Sequence, residues 1–96
     1  MKLKNISSNM TEIELPDGTL VLVSYETPVA ARVFALAAKN DGVALARTSK
    51  KWSATTTRHI NKWLRANFSE EAPKRAREMP QEFFDNLLEE HGAPQV

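Results

Sequence analysis

Thr27-Pro28-Val29-Ala30-Ala31-Arg32-Val33-Phe34-Ala35-Leu36-Ala37-Ala38 is the stretch on which the architecture turns. As a helix it has Thr27 as cap and Pro28 in the first turn, where a missing amide costs nothing, followed by good helix formers at Ala30, Ala31, Ala35, Ala37 and Ala38. As a strand it runs over 29–37 and turns at Lys39-Asn40-Asp41-Gly42, whose Asp-Gly pair is a strong hairpin signal. It then returns as Val43-Ala44-Leu45-Ala46-Arg47-Thr48. Local propensity favours the helix, and the residues alone leave both readings open.

Upstream the pattern is plainer. Ile13 and Leu15 alternate with Glu12 and Glu14, and Pro16-Asp17-Gly18 is a turn signal ahead of Thr19-Leu20-Val21-Leu22-Val23-Ser24-Tyr25. In that second strand Leu20 and Leu22 point one way and Val21, Val23 and Tyr25 the other, so both faces are apolar and a central position is expected. The first strand, with Glu12 and Glu14 on one face, is expected at an edge.

Downstream, Ser53 or Thr55 can cap a helix in which Thr56, Ile60, Trp63, Leu64 and Phe68 recur on one face. Arg58, Asn61, Lys62 and Arg65 fall off that stripe, and His59 lies at its border. Residues 70–79, broken by Pro73 and bounded by Pro80, read as a charged connector with at most a short helical turn. Pro80 then opens a helix over 81–91 with an apolar stripe of Phe83, Phe84, Leu87 and Leu88; Gly92 stops it and 93–96 is expected to be a flexible tail.

Composition bounds what such elements can do. A chain of 96 residues fits a single small domain over 1–96, and 42% hydrophobic with 26% charged residues is ordinary for a folded protein. With no cysteine and only His59 and His91, neither a disulfide nor a convincing metal centre is expected. No signal-peptide core and no run of membrane-spanning length is visible, so a cytoplasmic protein without a membrane partner is expected.

The net charge of +1 conceals segregation. Residues 1–31 balance to −2 and residues 66–96 to −4, whereas residues 32–65 carry eight basic side chains against Asp41 alone. A basic middle between acidic ends suits an anion-binding face, unless the blocks neutralise one another in the fold or across a dimer.

Gly18, Gly42 and Gly92 are too scattered to form a phosphate-cradling loop. His59 beside Thr55, Thr56 and Tyr25 could form a polar site, but no set of groups fills every catalytic role, so neither an enzyme nor a cofactor is expected. Nucleic-acid binding has the better physical case: Lys50, Lys51, Arg58, Lys62 and Arg65 can neutralise phosphates, Asn61 can add hydrogen bonds, and Trp52 can stack on a base. The competing reading is a protein-binding module that uses the Phe83-Phe84-Leu87-Leu88 stripe against a partner or as a homodimer seam.

Ser24-Tyr25-Glu26-Thr27-Pro28-Val29-Ala30 and Thr55-Thr56-Thr57-Arg58-His59-Ile60-Asn61-Lys62-Trp63-Leu64, the latter preceded by Trp52-Ser53, resemble a family of small phage and prophage proteins built around a domain of unknown function. The resemblance covers roughly residues 20–65 through Ser-Tyr-x-Thr-Pro-Val-Ala and Thr-Thr-x-x-His-Ile-Asn elements. It implies a phage or mobile-element origin, hence a host-cell interior, and a short strand hairpin between the two motifs; it brings no catalytic residues.

With strand preferred for 29–37 partly on that basis, the expectation is an α+β domain with a small antiparallel sheet of three or four strands followed by two helices. Its core is to contain Leu20, Val21, Leu22, Val23, Tyr25, Ile60, Trp63 and Leu64. The expected role is a phage-type accessory protein that binds nucleic acid through a basic face around residues 47–65. Tyr25, Thr56 and His59 are expected to come together as a polar site. The alternative is a phage effector or inhibitor of a host enzyme or defence complex.

Overall fold

The computed structural model describes residues 2–16, 18–33 and 45–90. Five strands follow one another along the chain: β1 (Lys2–Ser7), β2 (Met10–Glu14), β3 (Leu20–Ser24), β4 (Thr27–Arg32) and β5 (Leu45–Thr48). They are followed by α1 (Ala54–Asn67), a single turn α2 (Ala72–Arg75), β6 (Arg77–Met79) and α3 (Gln81–Glu90). Among the described residues six strands form one sheet in the order β1-β2-β3-β4-β5-β6, antiparallel throughout except for the parallel pair β5 and β6.

The class is α+β as expected, but the expected three or four antiparallel strands are six in a mixed sheet. Two strands account for the difference. β1 lies in a polar start, Lys2-Leu3-Lys4-Asn5-Ile6-Ser7, and is exposed along its whole length, so it lacks the apolar face that announces a half-buried strand. The Ser8-Asn9 turn, with Asn9 at φ 66°, folds it back on β2. β6 lies in the segment expected to be a connector; α2 is the short helical turn foreseen there, and the three residues after it extend along β5. Because β1 takes the edge, β2 is an inner strand and not the edge its glutamates suggested.

β3 is central, and its alternation serves both faces of the sheet. Val21 and Val23 join Ile13, Leu15, Ala31, Val33 and Ala46 under Phe84, Leu87 and Leu88 of α3. Leu22, with Leu20 packed beside it, joins Met10, Val29 and Ala30 under Ile60, Trp63 and Leu64 of α1. One sheet between two helices explains why β3 is apolar on every residue but its last. It also settles where the Phe83-Phe84-Leu87-Leu88 stripe goes: Phe84, Leu87 and Leu88 are buried on the sheet and Phe83 is half-buried beside them.

Thr27–Arg32 is strand, not helix, whereas the remainder of the expected strand over 34–37 and the turn at Lys39–Gly42 fall outside the described residues, as does the tail 93–96. Alanine propensity is overridden because Ala30 and Ala31 are fully buried between layers, where small side chains let a helix approach on either side. Pro28 is accommodated by a bulge: the register with β3 shifts between Leu22 and Val23, so that Leu22 opposes Ala30 while Val23 opposes Pro28. Val29 and Ala30 consequently both pack on the α1 side.

Candidate nucleic-acid interface and polar junction

α1 begins where its sequence permits. Ser53 is the cap, with its Oγ accepting from the Thr56 amide at 3.1 Å, and the buried residues Thr56, Ile60, Trp63 and Leu64 form the stripe laid over β3. Trp63 is 1% exposed, and its Nε1 donates to Glu12 Oε1 at 2.8 Å, anchoring the helix to β2. Arg32 lies 5.8 Å from the centre of the Phe68 ring near the opposite end of the helix.

The residues expected at a basic face divide into two groups. Lys50, Lys51 and Trp52 line an open groove of about 760 Å³ between the segment leading into α1 and the turn α2. Arg47 and Lys74 also line it, so four cations there face one carboxylate, Glu78. Arg58, Lys62 and Arg65 are exposed on the outer side of α1 and do not line the groove. Arg65 reaches Glu70 at 4.0 Å, and Arg58 donates to Thr55 Oγ1 at 3.3 Å. Asn61 is turned inward: its Oδ1 accepts from Arg47 Nη1 at 2.9 Å, and the same nitrogen donates to the Pro73 carbonyl at 3.1 Å. Burial lowers the Arg47 pKa while Glu78 opposes that shift, as suits a guanidinium that ties β5, α1 and α2 together.

Trp52 is 43% exposed and nevertheless held. Its Nε1 donates to Gln81 Oε1 at 3.1 Å, and the Lys50 ammonium sits 4.1 Å from the ring centre. Gln81 is a residue that sequence reasoning passed over. Its Oε1 also accepts from Thr48 Oγ1 at 2.9 Å, and its Nε2 donates to the Pro28 carbonyl at 2.6 Å and to Asp85 Oδ1 at 3.3 Å. Among the described residues β5 pairs with β4 from Ala30 to Arg32, so the Pro28 carbonyl lies beyond that end of the ladder and takes a side-chain donor instead.

At the end of β3 a second arrangement gathers the two sequence motifs. The Tyr25 and His59 rings lie 5.9 Å apart, tilted by 38°. Ser24, only 2% exposed, joins them, because its Oγ is 2.8 Å from His59 Nδ1 and 3.3 Å from Thr56 Oγ1. Thr56 Oγ1 is in turn 3.2 Å from Ser53 Oγ. Tyr25 is not the core residue expected: it leaves the strand into the two-residue turn between β3 and β4, is 49% exposed, and has φ 59°. A left-handed conformation costs a non-glycine residue about 1–2 kcal/mol, so this turn holds a tyrosine where glycine would be easier. Burial, followed by the charges of Arg58 and Lys62, lowers the His59 pKa and favours the neutral imidazole.

Among the described residues no group of three or more histidine, cysteine, aspartate or glutamate side chains is placed to hold a metal ion, and no helix is long and apolar enough to cross a membrane. Fold and site together define a small α+β domain with one mixed sheet between two helices and a cationic groove at the start of the first. The chain belongs to a family of unknown function, DUF8033, which matches residues 1–86. No curated protein and no solved structure matches it.

Proposed function

We propose that this protein is a phage-type accessory protein that binds nucleic acid through the groove beside Trp52. The observation that carries the reading is an exposed tryptophan fixed by Gln81 at the border of a groove lined by Arg47, Lys50, Lys51 and Lys74. Aromatic stacking next to a cationic track is how proteins hold single strands without a sequence code. The amino terminus of α1 also lies on this groove and adds a favourable potential for anions. The competing role, an effector or inhibitor of a host enzyme or defence complex, draws on mixed charge, exposed aromatics and the apolar stripe of α3, and of these the stripe packs on the domain's own sheet.

The test is fluorescence anisotropy of a labelled single-stranded oligonucleotide over a range of salt concentrations. Replacing Lys50, Lys51 and Lys74 together by glutamine should weaken binding and flatten the logarithmic salt dependence by about 2, from roughly 0.7 per phosphate contact on a single strand. Replacing Arg58, Lys62 and Arg65 should have the smaller effect, because those side chains lie outside the groove. Unchanged affinity and slope in the groove variant would remove the proposal.

A further inference from the structure

We infer that the hollow beside the groove is a pocket for one unstacked nucleobase, gripped between Tyr25 and Trp52 and read by a hydroxyl chain that can present either a donor or an acceptor. The inference rests on the reading of the groove as a nucleic-acid interface and adds to it a second subsite with its own ligand chemistry, a planar nitrogen heterocycle attached to a phosphate. The hollow has a volume of about 220 Å³ and is lined by Tyr25 and Trp52, with Ser24, Ser53 and Thr56 among its other walls. Drug-sized ligands occupy pockets of about 300–1,000 Å³, so this one suits a single flat ring system. Trp52, Ser53 and Thr56 line the groove as well as the hollow, so a base in the hollow would have its phosphate among the groove lysines.

Both aromatic walls are positioned, not loose. Trp52 is tied through its ring nitrogen to Gln81, and Tyr25 is backed by His59 and held in a turn conformation that its side chain does not favour. An exposed aromatic kept in an unfavourable backbone region is a pointer toward function. Rings held in place lose little freedom when a base slides between them, which favours stacking over a floppy contact.

The polar wall is a chain running from His59 Nδ1 through Ser24 Oγ and Thr56 Oγ1 to Ser53 Oγ, with successive distances of 2.8, 3.3 and 3.2 Å. Each hydroxyl has one proton, so the direction of the chain follows the imidazole tautomer. With Nδ1 bare, Ser24 donates to His59, Thr56 to Ser24 and Ser53 to Thr56, and Ser53 shows the hollow only lone pairs. With Nδ1 protonated in the other neutral tautomer, the first two bonds reverse. His59 then donates to Ser24 and Ser24 to Thr56, while Ser53 still donates to Thr56, which frees the Thr56 proton to meet a ligand. Either state leaves the buried hydroxyls satisfied. A base edge presenting a carbonyl, an amino group or a ring nitrogen can thus be met by one pocket, giving base binding with weak base preference.

The deciding experiment compares a short oligonucleotide with a chain of the same length whose nucleotides are all abasic, each titrated at low salt. Intact strands should bind roughly 5- to 150-fold more tightly, the range that one stacked base confers. Tyr25→Gly and Trp52→Ala should each erase that advantage. Glycine satisfies the left-handed turn at least as well as tyrosine, so a loss in Tyr25→Gly is not a folding defect. A 2-aminopurine placed along the strand should change its emission on binding, and the change should vanish in Tyr25→Gly.

If Tyr25→Gly keeps the advantage of the intact strand while Trp52→Ala loses it, the base pocket is wrong and the groove reading stands; equal binding of abasic and intact chains overturns the pocket and the stacking on Trp52 alike. If neither chain binds but adenosine monophosphate quenches Trp52, the pocket stands with a free nucleotide as its source and the groove reading falls. Failure of all three ligands to bind overturns both.

Discussion

The two faces of the sheet are built from similar apolar residues and put to different uses. On the α3 side Val21, Val23, Ala31 and Ala46 meet Phe84, Leu87 and Leu88, and the principal polar tie from that helix is Gln81 at its first residue. On the α1 side the core is crossed by polar links at intervals: Ser24 to His59 and Thr56, Trp63 to Glu12, and Arg47 to Asn61 and Pro73. A dry face gains stability from area alone, whereas a face threaded with hydrogen bonds fixes directions and leaves polar groups near the surface. The proposed interface lies at the border of the second kind of face.

The contrast can be broken first at its dry side. Phe84→Ala should lower unfolding free energy by about 3–5 kcal/mol in urea denaturation, while oligonucleotide affinity per folded molecule stays unchanged. A change in that affinity would mean that the two faces are not separable. Gln81→Ala comes next, at about 1–3 kcal/mol, because the Pro28 carbonyl and the Thr48 hydroxyl lose a buried partner. Unlike Phe84→Ala, it should also free the Trp52 ring, seen as a drop in tryptophan emission anisotropy.

Acid sharpens the comparison on the α1 side. The folded chain holds His59 below its ordinary pKa of 6.5, so below that pH the unfolded chain binds a proton that the folded one resists. The contribution of His59 is therefore complete above about pH 6.5 and declines as pH falls through the lower folded-state value. Thermal melts should show a fall over that window, reduced in His59→Asn. The smallest effect belongs to the exposed Arg65 and Glu70 pair at 4.0 Å: Glu70→Gln should change stability by less than about 1 kcal/mol.

How much of this was legible in the residues varies by element. The buried stripe of α1 was readable because Thr56, Ile60, Trp63 and Leu64 recur at helical spacing and meet a flat sheet. The double-sided character of β3 was readable for the same reason at period two. β1 was not, since an edge strand beyond the reach of both helices needs no apolar face; nor was β6, whose three residues are too few to show any period. At the site, the Tyr25 and His59 rings are adjacent and join Ser24 and Thr56, whereas Asn61 turns to Arg47 instead of outward. Asn61 was ambiguous because a polar residue off the core stripe can serve a neighbouring loop as readily as solvent. Gln81 was invisible because its partners come from β4, the end of β5 and Trp52, distant in sequence and joined only by the fold.

The parallel pairing of β5 with β6 sets an order of assembly. β1 to β4 are joined by short turns, so those pairings close small loops and can form early. β6 meets β5 only after α1 and α2 have crossed between them, the costliest loop closure in the described sheet. The amides of Arg77–Met79 are therefore expected to gain protection last when refolding is followed by pulsed hydrogen exchange, after those of β2 and β3. Protection of all six strands in a single step would show instead that the crossover is part of the folding nucleus.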